Sequence, residues 1–217
     1  MERGIKSPSR KKKIVEAYLN AKETVIELGF GAEIDWQDQV RFSQITERDF
    51  LREAAWVVLS SGMREAVILV KFPAISSAFY SWRNAKKIVE NPEKCQVKAF
   101  KVFRHQKKID AIISIAARIF DQGFKTFKGY IEREGVSFIQ SLPFMGPATS
   151  YHLAKNIGLD VVKPDRHLVR VATAGGYDNP MLLCKEISEV VGDRISVVDI
   201  VIWRFATLDP KYIQYFV

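Results

Sequence analysis

SLPFMGPATSYHLAKNIGLDVVKPDRHLVRVA, residues 141–172, is the stretch on which the rest of the chain turns. A helix is predicted to end near Ile139, a tight turn to follow over 142–147, and a second helix to run over 148–156. A short loop then closes on Pro164 and leaves Asp165 at the mouth of a third helix. At a helix start made of small residues, free backbone N–H groups point outward and the helix dipole favours an anion. Gly146 lets such an anion approach closely, and Ala148 and Thr149 present the amides. An aspartate at a helix start can cap it, and its carboxylate can also do chemistry beside a bound phosphate.

Outward from this stretch, apolar residues recur at helical spacing and no long alternating run predicts a strand. Residues 14–28 fit an amphipathic helix ended by Gly29 and Gly31. Thr46 and Asp49 have the spacing of a capping box for a helix opening at Glu47. Residues 63–70 continue or restart that helix, and Pro73 is expected to stop it. Further helices are expected over 76–90, halted by Asn91-Pro92, and over 93–103. The strongest period, 108–121, runs through Ile109, Ile112, Ile113, Ala116 and Ile119 to Gly123. Short helices over 127–134 and from Ser137 lead into the turn. Downstream, Gly175-Gly176 closes 166–174, Asn179-Pro180 opens 181–191, and Ser196 is expected to cap a last helix through Trp203 and Leu208. The chain reads as all-α.

Composition narrows the classes. Of 217 residues, 47% are hydrophobic and 27% charged, the balance of a globular protein with a real core. No apolar run approaches the roughly 20 residues of a membrane span, so no membrane partner is expected. The N-terminus lacks the apolar centre of a secretory signal, which leads to the expectation of a cytoplasmic protein, nucleoid-associated if prokaryotic. Cys95 and Cys184 are the only cysteines, so one chain cannot supply a four-cysteine iron-sulfur or zinc site. The net charge is +8, and residues 1–13 hold six basic residues against one acid, leaving the body only +3. That basic, flexible tail raises encounter rates with a polyanion. The body charge by itself says little.

Two segments together carry a family resemblance: Leu142-Pro143-Phe144-Met145-Gly146-Pro147-Ala148-Thr149, and Asp165-Arg166-His167-Leu168-Val169-Arg170. In this order and at this separation they resemble the helix-hairpin-helix (HhH-GPD) DNA glycosylases of the endonuclease III superfamily. The resemblance implies a two-lobed, all-helical fold, with a central lobe over 50–164 carrying the hairpin at about 137–157, and a second lobe from 14–49 plus 165–217. It implies that Asp165 is catalytic, since cleaving an N-glycosidic bond builds positive charge on the sugar that a carboxylate stabilises while it orients water. It also implies DNA contacts at Leu142, Gly146, Ala148, Thr149 and Lys163. A monovalent cation on the main-chain carbonyls of Gln140, Leu142 and Met145 belongs to the same picture.

Two departures refine the expectation. Members that also cut the strand carry a nucleophilic lysine at the position of Ala148, so this chain resembles the monofunctional members that use water and need no cofactor. Phe144 stands where the family hairpin usually has glycine. Ser61, Met63 and Arg64 lie where related enzymes place the loop that fills the gap left by a flipped base. Trp56, Tyr80 and Trp203, with Phe79 and Trp82 as further aromatics, are candidates to stack on that base. His167 is expected to be a structural hydrogen-bonder, and the role of Arg170 is open, with pairing to an acid between the lobes as one option. If 93–108 were one continuous helix, Lys94, Lys98, Lys101, His105 and Lys108 would share a face, read here as solvated.

The activity expected is hydrolysis of the base-sugar bond of a damaged or modified base in double-stranded DNA, by a monomer. Two alternatives stay open: a bifunctional glycosylase/lyase using a displaced Lys155 or Lys163, and a non-catalytic helix-hairpin-helix DNA-binding protein.

Overall fold

Helical spacing becomes helix throughout the computed structural model, which describes residues 8–217, and no strand occurs among them. In chain order the α-helices are α1 Pro8–Val25, α2 Gly31–Gln39, α3 Glu47–Ser60, α4 Glu65–Ala78, α5 Ala85–Val89, α6 Pro92–Val102 and α7 Gln106–Gln122. They continue as α8 Phe124–Glu134, α9 Val136–Gln140, α10 Pro147–Asn156, α11 Arg166–Ala174, α12 Pro180–Val191 and α13 Ile195–Leu208.

The chain divides into two units, Met1–Val40 with Asp160–Val217, and Arg41–Leu159. The breaks fall at 40/41 and 159/160 rather than at the expected 49/50 and 164/165. In the first unit α13 packs against α1, α2, α11 and α12. Its core is built from Ile14, Tyr18, Val25, Leu168, Val171, Leu183, Ile187, Val198, Val201 and Ile202. The cap of α13 is not Ser196, which lies inside the helix: the Ser196 amide donates 2.8 Å to Oδ1 of Asp160, so a distant carboxylate does the capping. Of the flexible tail expected over 1–13, residues 8–13 belong to α1, which begins at Pro8; residues 1–7 lie outside the described part. Gly29, at φ +89°, does end the first helical run through a wide turn, but Gly31 opens α2 instead of terminating anything. That helix buries only Ile34 and Gln37, too few apolar positions for periodicity to reveal it.

In the second unit α7 is the central helix, packed on α3, α5, α6 and α8. Its stripe of Ile109, Ile112, Ile115, Ala116 and Ile119 is wholly buried. The capping box at α3 forms as the spacing predicts, with the Asp49 amide donating to Thr46 and the Thr46 amide donating to Asp49.

Two expectations fail in this unit. Pro73 sits inside α4 and does not stop it. A proline there removes the hydrogen bond to the carbonyl four residues back, and both Pro73 and Leu69 are exposed, so solvent serves the freed carbonyl. The helix expected over 76–90 is instead broken at Tyr80, Ser81 and Trp82, whose φ values are +54°, +52° and +61°. Each left-handed non-glycine residue costs about 1 kcal/mol or more. Against that, Trp82 is buried in a stack with Phe79 at 5.0 Å and Phe72 at 5.9 Å, and its indole N–H donates 2.9 Å to Ser76. Burying two large aromatics returns about 1.5–3 kcal/mol each, enough to offset the strain.

Gly158 shows the closest backbone approach. It follows α10 with φ +90°, and a Cβ there would lie 2.5 Å from the Phe42 nitrogen. The Leu159 amide donates to the Ala154 carbonyl and the Gly158 amide to the Lys155 carbonyl, both at 3.0 Å. This is the Schellman pattern that needs a left-handed residue after the helix.

Candidate nucleic-acid interface

The helix-turn-helix at 136–156 lies within the second unit. α9 and α10 flank a turn in which the Leu142 amide donates to Ile139 and the Met145 amide to Leu142, at 3.0 and 3.1 Å. Leu142 and Met145 point inward and are buried, which leaves the alternate positions Phe144 and Gly146 on the surface. Phe144 is 38% exposed with φ +62°, the left-handed region that favours glycine. The turn therefore has the backbone shape of a glycine position while carrying a phenyl ring, which sits edge-on to His105 at 6.3 Å. Thr149 Oγ1 donates to the Phe144 and Gly146 carbonyls at 3.0 and 3.2 Å and closes the turn.

Gly146 is the N-cap of α10 and offers its amides no side chain. A Cβ at 146 would touch nothing nearer than Thr149 at 3.9 Å, so packing alone does not require glycine there. Pro147 has no N–H, and the exposed Ala148 and half-buried Thr149 stand in the first turn, whose amides lack an intrahelical partner. Of the carbonyls considered for a cation, that of Leu142 already accepts the Met145 amide and has one lone pair left.

The loop between α3 and α4 carries Ser61, Gly62, Met63 and Arg64. Gly62 is left-handed at φ +67°, Met63 is 40% exposed, and Arg64 is exposed without an ion-pair partner among the described residues. The loop is held from below by Lys108, which is 3% exposed and donates to the carbonyls of Leu59 at 2.7 Å and Ser61 at 2.5 Å. Of the residues expected to share a face, Lys94, Lys98 and Lys101 lie exposed along α6, but the face stops short of His105 and Lys108, because α6 ends at Val102 and α7 begins at Gln106. Lys108 turns inward to the C-terminal carbonyls of α3, the negative end of that helix. Burial lowers its pKa. The signal was present in the chain: Lys108 is in register with Ile112, Ile115 and Ile119 on the apolar stripe.

Glu53 is a second buried charge that periodicity hides, in register with Phe50 and Val57. It accepts from Asn156, the last residue of α10, at 3.0 Å and pairs with Arg52 at 2.9 Å. It thus ties α3 to the end of the helix-turn-helix. Burial raises the Glu53 pKa, with Arg52 and Asn156 opposing.

In the first unit Asp165 is the N-cap of α11. Its Oδ1 accepts the amides of His167 at 2.9 Å and Leu168 at 3.0 Å. Its Oδ2 has no hydrogen-bond partner among the described residues, and the side chain is half-buried. One oxygen therefore fixes the carboxylate and the other is available. His167 Nδ1 lies 3.1 Å from the Tyr212 hydroxyl, and Arg166 Nε donates to its Nε2 at 3.3 Å. Burial lowers the His167 pKa, with Asp165 pulling the other way. The neutral ring is thus the favoured form at pH 7. Arg170 is exposed and has no ion pair among the described residues. The Lys163 amide donates 2.6 Å to buried Asp199, which anchors the segment before Asp165 to α13.

The aromatic candidates have three different surroundings. Trp56 is half-buried with its ring edge-on to Phe72 at 5.2 Å. Tyr80 lines a surface depression with Arg83 and Lys87. Trp203 lies in the first unit, where Arg204 stacks on it at 4.7 Å and pairs with Glu33. Phe79 and Trp82 are core residues. Among the described residues no cluster of side chains is arranged to hold a metal, both cysteines are buried, and no helix is long and apolar enough to cross a membrane. Compared with known proteins, the chain matches no family model, no curated protein and no solved structure.

Proposed function

We propose that the chain is a monofunctional DNA glycosylase of the helix-hairpin-helix (HhH-GPD) type, which hydrolyses the N-glycosidic bond of a damaged or modified base and leaves an abasic site. The observation that carries the reading is the division of labour at Asp165: Oδ1 is fixed by two amides while Oδ2 has no hydrogen-bond partner among the described residues. A carboxylate held so rigidly is preorganised to stabilise an oxocarbenium-like sugar and to orient a water. In this reading the first-turn amides of α10 take a backbone phosphate, and Met63 and Arg64 fill the space of the extruded nucleotide.

Ala148 cannot act as an amine nucleophile, and Lys155 is only 4% exposed, so its reach to a substrate is small. In this reading water, rather than Lys155 or Lys163, is the attacking group, and the reaction needs no cofactor. The partner is double-stranded DNA, and the enzyme acts as a monomer in the cytoplasm.

The test is base release from duplexes carrying a broad panel of lesions, read by mass spectrometry. The wild type is expected to free at least one base, and Asp165→Asn to slow that release by about 10²–10³-fold or more. Undiminished release by Asp165→Asn would overturn the mechanism. Borohydride treatment is expected to trap no covalent adduct, and trapping in quantity would mean that an amine attacks the sugar.

A further inference from the structure

The left-handed run Tyr80-Ser81-Trp82 turns one side chain inward and leaves its neighbours outside. Trp82 is buried, whereas Ser81 and Arg83 are exposed and Tyr80 is half-buried. Tyr80, Ser81, Arg83, Lys87 and Asn91 line a depression of about 430 Å³. That lining contains two cations and no acid. Arg83 has no ion-pair partner among the described residues, and Lys87 has only Glu90, at 4.0 Å, a carboxylate that Lys86 approaches at 3.7 Å. Asn84 accepts the Lys87 amide at 2.9 Å, and Asn91 donates to the Lys87 carbonyl at 3.1 Å, so α5 is held at both ends. The burial of Trp82 accounts for the strained turn, but not for two cations on the lining of one depression that includes no acid.

We propose that this depression is a phosphate-binding seat. The Arg83 guanidinium, just before α5, offers a planar fork matched to phosphate oxygens, and the Lys87 ammonium of α5 offers a point charge on the same lining. The Ser81 and Tyr80 hydroxyls are neutral donors on the same lining. The seat shares no residue with the helix-turn-helix or with Asp165, and it does not depend on the activity proposed for them. A phosphodiester of a duplex and a free phosphorylated small molecule present the same chemistry to it.

The experiment follows the backbone amides of Ser81, Arg83 and Asn91 and the Arg83 Nε–H by NMR. Inorganic phosphate is titrated at constant ionic strength, and an unmodified DNA duplex is titrated in a second arm. Phosphate is expected to shift these resonances saturably in the wild type and not in R83Q/K87Q, two exposed substitutions whose remaining spectrum overlays that of the wild type. A duplex that shifts the same set identifies the DNA backbone as the source, and R83Q/K87Q then lowers the slope of log affinity against log salt by about 1. Shifts with phosphate alone identify a small phosphorylated ligand. The proposal is overturned if phosphate gives no saturable shift, or if the shift persists in R83Q/K87Q. Base release by the same variant separates the two readings, since loss of the seat leaves Asp165 and the first turn of α10 intact.

Discussion

Phe144 combines in one residue a backbone that suits glycine with a side chain that glycine lacks. Its backbone takes the left-handed conformation at φ +62° that glycine takes freely. Comparing Phe144→Gly with Phe144→Ala removes the ring in both and the strain in only one. The glycine variant is expected to be the more stable by about 1 kcal/mol, read from denaturant midpoints at equal m-values. A second residue-scale prediction concerns Glu53, whose burial raises its pKa above the ordinary 4.5. The folded chain then keeps a proton that the unfolded chain has lost. Stability from this group is full below about pH 4.5 and is lost as pH rises through the raised folded value. The thermal midpoint of the wild type relative to Glu53→Gln is expected to fall over that rise. A difference that is flat in pH would show that Glu53 ionises normally.

Among elements, the α3–α4 loop depends on a helix that does not adjoin it in sequence. Lys108 of α7 donates to two carbonyls at the end of α3 and so sets the shape of Ser61-Gly62-Met63. Lys108→Met removes two charge-assisted bonds, each worth about 1.5–3 kcal/mol, and also removes the cost of burying an ammonium. Global stability is expected to change little, while the Met63 amide, bonded to the Ser60 carbonyl at 2.9 Å, exchanges with deuterium at least about tenfold faster. Unchanged exchange at Met63 would mean that the loop holds its shape without the lysine.

Elements whose signals are local were legible in the chain. The capping box at Thr46, the proline after Asn179, the aspartate cap of α11 and the stripe of α7 each depend on residues within one or two turns of one another. The break at Tyr80-Ser81-Trp82 was not legible, because it depends on Phe72 and Phe79 stacking on Trp82. The persistence of α4 through Pro73 depends on which side of the helix meets solvent, and neighbouring elements decide that.

For the whole molecule, duplex binding and base release are expected to separate under salt. Affinity is a long-range electrostatic property of a chain with net charge +8. Raising salt from about 50 to about 200 mM is expected to weaken binding at least about tenfold, as two or more neutralised phosphates require. In the proposed mechanism the single-turnover rate of base release from the saturated complex depends locally on Asp165, and it is expected to be unchanged. A rate that falls with the affinity would tie the chemistry to distant charge. The chain by itself determined the all-helical class, the helix-turn-helix at 136–156, the cap at Asp165 and the lack of an amine at position 148. These follow from residue type and from hydrogen bonds no more than one turn long. Only the tertiary structure decided that Lys108 faces inward, that Glu53 ties α3 to α10, that the chain divides at Val40 and Asp160, and that the backbone at Arg41–Phe42 admits only glycine at 158. Each of those outcomes rests on burial against partners far away in sequence, and no local period encodes such partners.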